Sequence, residues 1–303
     1  MTNQTVSDEL FAPVSADVEL CYQTFGDPSA DPLLLVMGLG GPMIWWDAEF
    51  CNLLADKGFF VIRYDNRDTG RSSRQQGRVR RADLVRAFLT GRGNAPYSLS
   101  DMADDGLGLL DHLGIDSAHV VGISMGGMIV QTMAIEHAAR VRSMTSIMST
   151  TGKRSVGWQD PKLLPRLLAG RQVEREAYVN SAVAFAKLIG SPSYPEPVER
   201  ATKRSEDTFD RGLNGSGVLR HMMAILTQPN RSRSLHSLTI PSQVIHGLSD
   251  RMVHVSGGRA TSASIPGSEL LLVDGMGHDL PAELWESVTD AIRRTADRAN
   301  PTP

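Results

Sequence analysis

The sequence predicts an α/β fold in which a mostly parallel sheet carries helices on both faces and a block of helices is inserted between two strands. Short apolar runs alternate along the chain with amphipathic helical stretches, a pattern that indicates parallel strands joined by right-handed crossovers. Residues 152–235 depart from this pattern, because they show helical periodicity broken by Gly, Pro and Asn and no strand pattern. We therefore expect a core made of residues 1–151 and 236–303, with a helical cap at 152–235.

The individual elements follow from periodicity and local signals. Residues 18–25 alternate apolar and polar side chains, which predicts an antiparallel edge strand. The other strand candidates are continuously apolar, as strands covered on both faces should be, and lie at 33–37, 59–62, 118–123, 144–148, 243–246 and 270–273. Ser98 and Asp101 have the spacing of a capping box, which predicts a helix to about residue 113. Further helices are expected at 124–138, 163–168, 173–189 and 218–226.

The composition is that of an ordinary globular protein. The 303 residues include 31 Lys and Arg, 34 Asp and Glu and 41% hydrophobic residues, with a formal charge of −3. This charge gives no attraction to nucleic acid, and no apolar stretch reaches the length of about 18 residues that a membrane span needs. The first ten residues lack the pattern of a signal peptide, and the two cysteines, Cys21 and Cys51, are too few for a disulfide framework. We expect a cytoplasmic protein without a nucleic-acid partner; the sequence makes no prediction of its oligomeric state.

A G-x-S-x-G pattern at residues 122–126 provides a candidate nucleophile, Ser124. The pattern alone is weak, but it directly follows the apolar run 118–123 and opens a helical stretch, as the strand–turn–helix of a nucleophile elbow requires. Glycine on both sides of the serine permits a turn that is too tight for Cβ atoms. The helix amino terminus favours developing negative charge. The alternative interpretation is a serine that caps a helix in an ordinary turn.

A serine hydroxyl needs a base, and the base needs an orienting group. Of the eight histidines, His278 follows the last apolar run on a glycine-rich loop, where a flexible backbone would let its ring turn towards a serine. Asp250 follows the preceding apolar run and is the candidate acid. An Asp near a turn is usually solvated, so Asp250 alone would be a weak candidate, but the three positions support one another. His246 lies within a strand pattern and is expected in the core, and His254 lacks the glycine loop.

The same chemistry needs an oxyanion hole made of backbone N–H groups. One donor is expected from Met125, the residue after the nucleophile. The other is expected from the glycine loop that follows the run 33–37, where Leu39 is the best candidate. The alternative interpretation of this loop is a glycine-rich turn with no chemical role.

Four segments resemble the α/β-hydrolase superfamily, over nearly the whole chain outside the cap. They are LLVMGLG at 34–40, RYDNRDTGRS at 63–72, GISMGG at 122–127 and GH at 277–278. The first two resemble most the branch that contains aclacinomycin methylesterase and related actinobacterial esterases and lipases. The order serine, aspartate, histidine is also that of this superfamily. Met37 replaces a common His before Gly38, and because the hole uses backbone N–H groups we do not expect this to disable it. Asp68 replaces a common Gly, and we interpret its loop as structural and assign it no chemistry.

Several related chemistries are excluded or unsupported. Haloalkane dehalogenases and epoxide hydrolases of this fold carry Asp at the elbow and dienelactone hydrolases carry Cys, whereas this chain has Ser124. The sequence contains no metal-binding pattern, no G-x-G-x-x-G dinucleotide pattern and no phosphate loop, so we expect no metal and no cofactor.

An arginine-rich stretch is interpreted as a solvated surface rather than an anionic-substrate or lipid-facing patch; its members are Arg63, Arg67, Arg71, Arg74, Arg78, Arg80, Arg81, Arg86 and Arg92.

Together these features predict a carboxylic ester hydrolase that acts on a small-molecule ester through an acyl-serine intermediate. The substrate is expected to be medium-sized and largely apolar, bound between the strand ends and the cap. Candidate lining residues are Trp45, Trp46, Met128, Trp158, Phe185, Met222 and Met223. The same residues would also serve a cofactor-free perhydrolase, a lactonase or a carbon–carbon bond hydrolase. From another class, a non-catalytic ligand receptor shares this fold.

Overall fold

An eight-stranded sheet forms the centre of the molecule; the structure, a computed structural model, describes residues 5–163 and 174–299. The strands occur in the order β1-β2-β4-β3-β5-β6-β7-β8. Strands β1 and β2 are antiparallel to their neighbours, and β3 to β8 run parallel. The strands are β1 (Leu10–Pro13), β2 (Glu19–Phe25), β3 (Asp31–Val36), β4 (Phe59–Tyr64), β5 (Ala118–Ile123), β6 (Val141–Ile147), β7 (Ser242–Gly247) and β8 (Glu269–Val273).

The predicted mostly parallel sheet is confirmed, with one addition at its edge. The strand predicted at 18–25 is antiparallel but is not the edge, because β1 pairs with its outer side. Strand β1 has only four residues and three of them are exposed, so it carries no apolar periodicity that would reveal it in the sequence. The parallel strands lie where the apolar runs predict them, with ends shifted by up to three residues.

Helices cover both faces of the sheet. Helices α3 and α4 pack on one face with an apolar cluster that includes Leu107 and Met133. Helices α1 and α10 pack on the other, around Phe50 and Ile292. The helices outside the inserted block are α1 (Ala48–Asp56), α2 (Arg81–Thr90), α3 (Leu99–His112), α4 (Met125–Glu136), α9 (Ser256–Ser264) and α10 (Trp285–Asp297). In α3 the predicted capping box is present, since Ser98 and Asp101 bond each other's backbone N–H.

Among the described residues, four α-helices lie between β6 and β7 in the chain, and we call them the inserted helices. They are α5 (Arg175–Ile189), α6 (Val198–Arg211), α7 (Gly215–Thr227) and α8 (Ser232–Leu235). The predicted helices at 173–189 and 218–226 correspond to α5 and α7. Leu164, Leu167 and Leu168, which were part of the helix predicted at 163–168, lie outside the described residues. Among the described residues, no helix is both long and apolar enough to span a membrane.

Candidate active site

The strand order reverses between β3 and β5, and this is where the candidate residues gather. The next strand in the chain, β4, pairs with one side of β3, and the strand after it, β5, pairs with the opposite side of β3. A crevice at the carboxyl ends of such strands is the usual ligand site of an open parallel sheet. Leu39 follows β3 and Ser124 follows β5, so the sheet topology itself brings the candidate oxyanion loop to the candidate nucleophile.

Ser124 occupies a strained turn between β5 and α4. Its φ is 56° and its ψ is −116°, which is a costly conformation for a residue with a side chain. The flanking glycines make the turn possible, because a Cβ on Gly122 would overlap the Gly126 carbonyl and a Cβ on Gly126 would overlap the Val36 backbone. The strand, turn and helix are therefore arranged as a nucleophile elbow requires.

The hydroxyl of Ser124 does not cap the helix that it precedes. This observation removes the alternative interpretation of Ser124 as an ordinary N-cap residue. The backbone of the turn is held instead by β6, because the Ser124 N–H donates to the Ile147 carbonyl at 2.9 Å. The Ser149 hydroxyl also donates to the Ser124 carbonyl at 2.7 Å. The side-chain hydroxyl is thus free of a structural task in the helix start.

Asp250 and His278 are joined by a hydrogen bond. The His278 Nδ1 lies 2.8 Å from the Asp250 Oδ2, and the carboxylate is fully buried while the imidazole side chain is 10% exposed. The other carboxylate oxygen accepts the N–H groups of Met252 and Val253, each at 2.8 Å. Burial acts to raise the pKa of Asp250, but the His278 charge and the hydrogen bonds from His246 and His278 outweigh it and hold the pKa far below its ordinary value. Asp250 is therefore an ionised acceptor that fixes Nδ1 as the protonated nitrogen.

His246 is a second histidine beside Asp250, a contact that was not predicted from the sequence. It is buried, as expected for its position in β7, but its Nε2 lies 3.4 Å from the Asp250 Oδ2 and 2.8 Å from the Val253 carbonyl. A carbonyl can only accept, so this nitrogen carries a proton. The spacing of four residues between His246 and Asp250 was the available signal. His254, by contrast, stacks on Trp158 with ring centroids 3.9 Å apart.

The loop that carries His278 is packed closely rather than flexible, contrary to the expected role of its glycines. A Cβ on Gly277 would overlap the Gly190 carbonyl, and a Cβ on Gly275 would overlap the Ser193 side chain. The His278 N–H donates to the Ile189 carbonyl at 2.8 Å. These glycines therefore allow the segment after α5 to lie directly against the loop.

Ser191 connects the same two segments through its side chain. Its hydroxyl accepts the Gly277 N–H at 2.8 Å and donates to the Asp279 carboxylate. Burial raises the pKa of Asp279 despite the hydrogen bonds from Ser191, which lower it. This contact has no local signal in the sequence, because Ser191 lies 86 residues from Gly277 and 88 residues from Asp279.

The candidate oxyanion loop lies directly against the nucleophile turn. A Cβ on Gly38 would be 3.2 Å from the Ser124 Cβ and 3.8 Å from the Met125 N. Two contacts hold the loop to the stretch after β4: the Asn66 side chain donates to the Met37 carbonyl at 2.9 Å, and the Met43 N–H donates to Asp65 at 2.6 Å. Leu39 is half-buried and Met125 is buried. The backbone N–H groups of Leu39 and Met125 thus belong to neighbouring segments.

The predicted lining residues occupy several different environments. Trp46 stacks on Phe50 in the core beside α1 and α10, and Met223 packs with Val79, Leu84 and Ala87 between α2 and α7. Both are corrected to core residues, because their side chains fill the space between helices. Trp45 donates to Thr208 of α6 at 2.9 Å and Trp158 is half exposed. Met128 is buried; Phe185 of α5 and Met222 of α7 are half-buried.

The arginine-rich stretch is only partly a solvated surface. Arg74, Arg78, Arg80, Arg81, Arg86 and Arg92 are exposed, as expected. The expectation is wrong for Arg63, which is buried against the Trp46 carbonyl, and for Arg67, which pairs with buried Asp105 at 2.5 Å. Each of these two side chains has a partner that the linear sequence does not reveal.

Neither cysteine is suited to act as a nucleophile. Cys21 and Cys51 are buried and are not joined in a disulfide. Burial is the largest cause that raises the pKa of each thiol to about 12. A thiol with such a pKa stays protonated and unreactive near neutral pH.

Comparisons with known proteins agree with this architecture. A family model described as the alpha/beta hydrolase fold matches residues 31–283. The rhodomycin D methylesterase DauP of Streptomyces sp. is 29% identical over 305 residues, covering 91% of this chain and 94% of that protein. The 3-oxoadipate enol-lactonase 2 of Acinetobacter baylyi is 28% identical over 291 residues, covering 94% and 95%. The solved enol-lactonase of Burkholderia xenovorans LB400 superposes with a TM-score of 0.72 at 22% identity, covering 97% of this chain and 100% of that one. The chain belongs to the α/β-hydrolase fold family, as its sequence predicted.

Proposed function

We propose that this protein is a serine hydrolase that cleaves a carboxylic ester by acyl transfer. The observation that carries the proposal is the strained Ser124 turn, at the same sheet edge as the hydrogen-bonded pair of Asp250 and His278. Strands β5, β7 and β8 are parallel members of one sheet, so the three side chains that follow them emerge at one edge. The esterase relatives support the same reaction class.

The proposed mechanism assigns one role to each residue. Asp250 holds the Nδ1–H of His278, so that Nε2 is the basic nitrogen and removes the proton of the Ser124 hydroxyl. The serine oxygen attacks the ester carbonyl, and the Leu39 and Met125 N–H groups stabilise the oxyanion. His278 then protonates the departing alcohol, and water activated by the same histidine releases the acid from acyl-Ser124. No metal or cofactor takes part in these steps.

The substrate is proposed to be an uncharged, medium-sized and largely apolar ester with a small alcohol group. The methylesterase relatives favour a methyl ester. We further propose that the inserted helices form the cap over the site, with Met128 and Phe185 as candidate lining residues. A lactone is the second candidate substrate class, because enol-lactonases are among the relatives and a lactone is a cyclic ester open to the same attack.

A substrate panel with a nucleophile variant tests the proposal. The purified full chain is assayed with p-nitrophenyl esters of increasing acyl length, with methyl esters of aromatic acids and with lactones, and hydrogen peroxide is added in a parallel series to detect perhydrolysis. Ser124→Ala should lower kcat by about 10³-fold or more on every substrate turned over by the wild type. Its circular dichroism spectrum should stay unchanged. Ester turnover by a folded Ser124→Ala variant at the wild-type rate would exclude the mechanism.

A further inference from the structure

A buried histidine of the inserted helices contacts the candidate oxyanion loop. His221 lies in α7 and is fully buried. Its Nδ1 is 3.3 Å from the backbone nitrogen of Gly40, and its Nε2 is 2.9 Å from the carbonyl oxygen of Arg67. One imidazole thus joins the loop after β3 to the loop after β4.

These two partners determine the protonation state of the ring. A carbonyl oxygen only accepts and a backbone N–H only donates, so Nε2 must carry the proton and Nδ1 must accept. The ring is therefore neutral in a single tautomer. The pKa of His221 agrees with this state, because burial lowers it to about 4. The charged groups that act on this pKa are Asp68, which raises it, and Arg220 and Arg67, which lower it. The Tyr97 ring packs edge-on against the imidazole, with ring centroids 6.1 Å apart.

The loop contacted by His221 has a peptide unit whose direction is easily reversed. The Gly41 N–H donates to the Gly38 carbonyl at 3.2 Å, which closes a turn with Leu39 and Gly40 at its centre. Gly40 has a φ of 60°, as the third residue of a type II turn requires. Type I and type II turns differ mainly in the direction of their central peptide, and with glycine at the third position both are sterically accessible. The Gly40 N–H belongs to this central peptide.

We propose that His221 is a positioning residue for the oxyanion loop, which it holds in one turn conformation by accepting the Gly40 N–H. Reversal of the Leu39–Gly40 peptide would point the Leu39 carbonyl at the His221 Nδ1, where two acceptors would face each other. His221 thus holds ψ of Leu39 and φ of Gly40 in the loop that also carries the Leu39 N–H, a proposed oxyanion donor. The loop in turn touches Ser124 through Gly38. This inference rests on the proposed esterase function.

Two substitutions separate the two hydrogen bonds of His221. In His221→Asn the amide oxygen stands near the place of Nδ1 and can accept the Gly40 N–H, whereas the bond to Arg67 is lost. In His221→Gln the longer amide reaches the place of Nε2 and can donate to the Arg67 carbonyl, whereas the Gly40 bond is lost. The two variants are matched, because each keeps one hydrogen bond and each replaces the ring by an amide.

The two variants should differ in kcat rather than in KM. We expect His221→Gln to lower kcat by about tenfold, less than the loss of a whole oxyanion donor, with KM within about twofold of wild type. His221→Asn should keep kcat within about threefold. Equal losses of kcat in both variants, or a larger loss in His221→Asn, would show that the bond to Gly40 has no specific effect on kcat. Either result would overturn the inference. Failure of the proposed function is distinguishable, since it shows as ester turnover in Ser124→Ala.

A measurement on the wild type does not depend on the folding of either variant. Nitrogen NMR of a sample with labelled histidine should show the Nε2–H tautomer for His221 from pH 6 to pH 8. The His221 signal is assigned by comparing the wild-type spectrum with that of either His221 variant that can be purified, or by through-bond correlation. A neutral Nδ1–H tautomer, or a charged ring in this pH range, would overturn the inference.

Discussion

Several neighbours together keep the Asp250 carboxylate ionised. One oxygen is hydrogen-bonded to the His278 ring and lies 3.4 Å from the His246 Nε2, and the other accepts two backbone N–H groups. Because its pKa is held far below the ordinary value, the carboxylate stays ionised at every pH at which the enzyme is expected to work. Any loss of activity between pH 7 and pH 5 must therefore come from a group other than Asp250.

His119 provides a residue-scale prediction of how stability depends on pH. It is buried in β5 with Nδ1 at 2.8 Å from the Ser143 hydroxyl, and burial lowers its pKa to about 4. A lowered histidine pKa contributes stability that is present above the unfolded value of about 6.5 and is lost as the pH falls towards the folded value. His119→Leu lacks this titration. The difference in unfolding free energy between wild type and variant should shift in favour of the variant by about 2 kcal/mol from pH 7 to pH 5.

Urea denaturation at both pH values measures this shift. Comparison with the variant cancels the contributions of other titrating groups, including Asp105 and Asp279, whose raised pKa values act in the opposite direction. A difference that stays constant between pH 7 and pH 5 would contradict the burial of a neutral His119.

At the residue scale, the sequence offers candidate residues but not their contacts. Ser124, Asp250 and His278 were predicted as site residues because each follows a strand pattern in the chain, which is a local signal. His221 and His246 could not be found in this way. Their partners lie on other elements or four residues away in an irregular loop, and only the packed structure brings them together.

At the scale of elements, the loop after β8 depends on the segment that follows α5. Backbone bonds join His278 to Ile189 and Ser193 to Gly275, and the Ser191 hydroxyl bridges Gly277 and Asp279. The histidine loop is therefore held from outside the sheet. Its glycines supply close approach of two backbones rather than freedom of movement.

Ser191→Ala tests this dependence. The substitution leaves the Gly277 N–H without its partner and removes one of the two Ser191 hydrogen bonds to the Asp279 carboxyl, which keeps the bond from the Ser191 backbone N–H. This should cost about 1–3 kcal/mol of unfolding free energy and lower kcat as the His278 loop shifts. Ser193→Ala is the matched control, because Ser193 bonds Gly275 through its backbone N–H. Urea denaturation and ester turnover are measured for both. Equal behaviour of the two variants would show that the Ser191 hydroxyl does not hold the loop.

The elements themselves were predicted where their apolar pattern is continuous. The six parallel strands from β3 to β8 and the helices α3, α4 and α7 lie within three residues of their predicted positions. Strand β1 was missed because it is short and mostly exposed. Helices α1 and α10 were not predicted, although their buried residues recur at helical spacing and cover one face of the sheet.

At the scale of the whole molecule, two buried ion pairs join the inserted helices to the loop after β4. Arg211, at the end of α6, binds Asp65 with two nitrogens at 2.9 and 2.6 Å. Both Arg211 nitrogens donate to one carboxylate oxygen of Asp65, whereas Arg220 of α7 donates to both oxygens of Asp68, at 2.7 and 2.6 Å. The loop had been given no chemical role in the sequence. Asp65 therefore holds the end of α6, and Asp68 holds α7, the helix that carries His221.

A double-mutant cycle measures the contribution of the second pair. Arg220→Met leaves the buried Asp68 carboxylate without its cation and should cost about 3–5 kcal/mol. The double variant Asp68→Gly with Arg220→Met removes both charges, and glycine suits the positive φ of 67° at this position. It should recover at least about half of the loss. Urea denaturation of the wild type, of both variants and of Asp68→Gly alone provides the cycle. A double variant that is less stable than Arg220→Met would contradict the expected recovery of stability.

The fold as a whole was predictable, whereas the docking of the inserted helices was not. Alternation of strands and helices predicts the sheet, because each pattern is local and repeated. The contacts of Arg211 and Arg220 join residues about 150 positions apart, and the charges of a polar helix give no sign of which loop they meet. The departure of Asp68 from the common glycine was the one available signal. The reason for an aspartate at this position becomes clear only from its ion pair with Arg220.

Covalent labelling of Ser124 tests the central claim most directly. The full chain is treated with a fluorophosphonate, a reagent that phosphonylates activated serine hydroxyls, and its peptides are analysed by mass spectrometry while ester turnover is followed. We predict one adduct on the peptide that contains Ser124, with loss of activity in proportion to labelling, and no adduct in Ser124→Ala. Full loss of activity with the label on another residue, or unmodified Ser124 in a protein that still hydrolyses esters, would contradict the account.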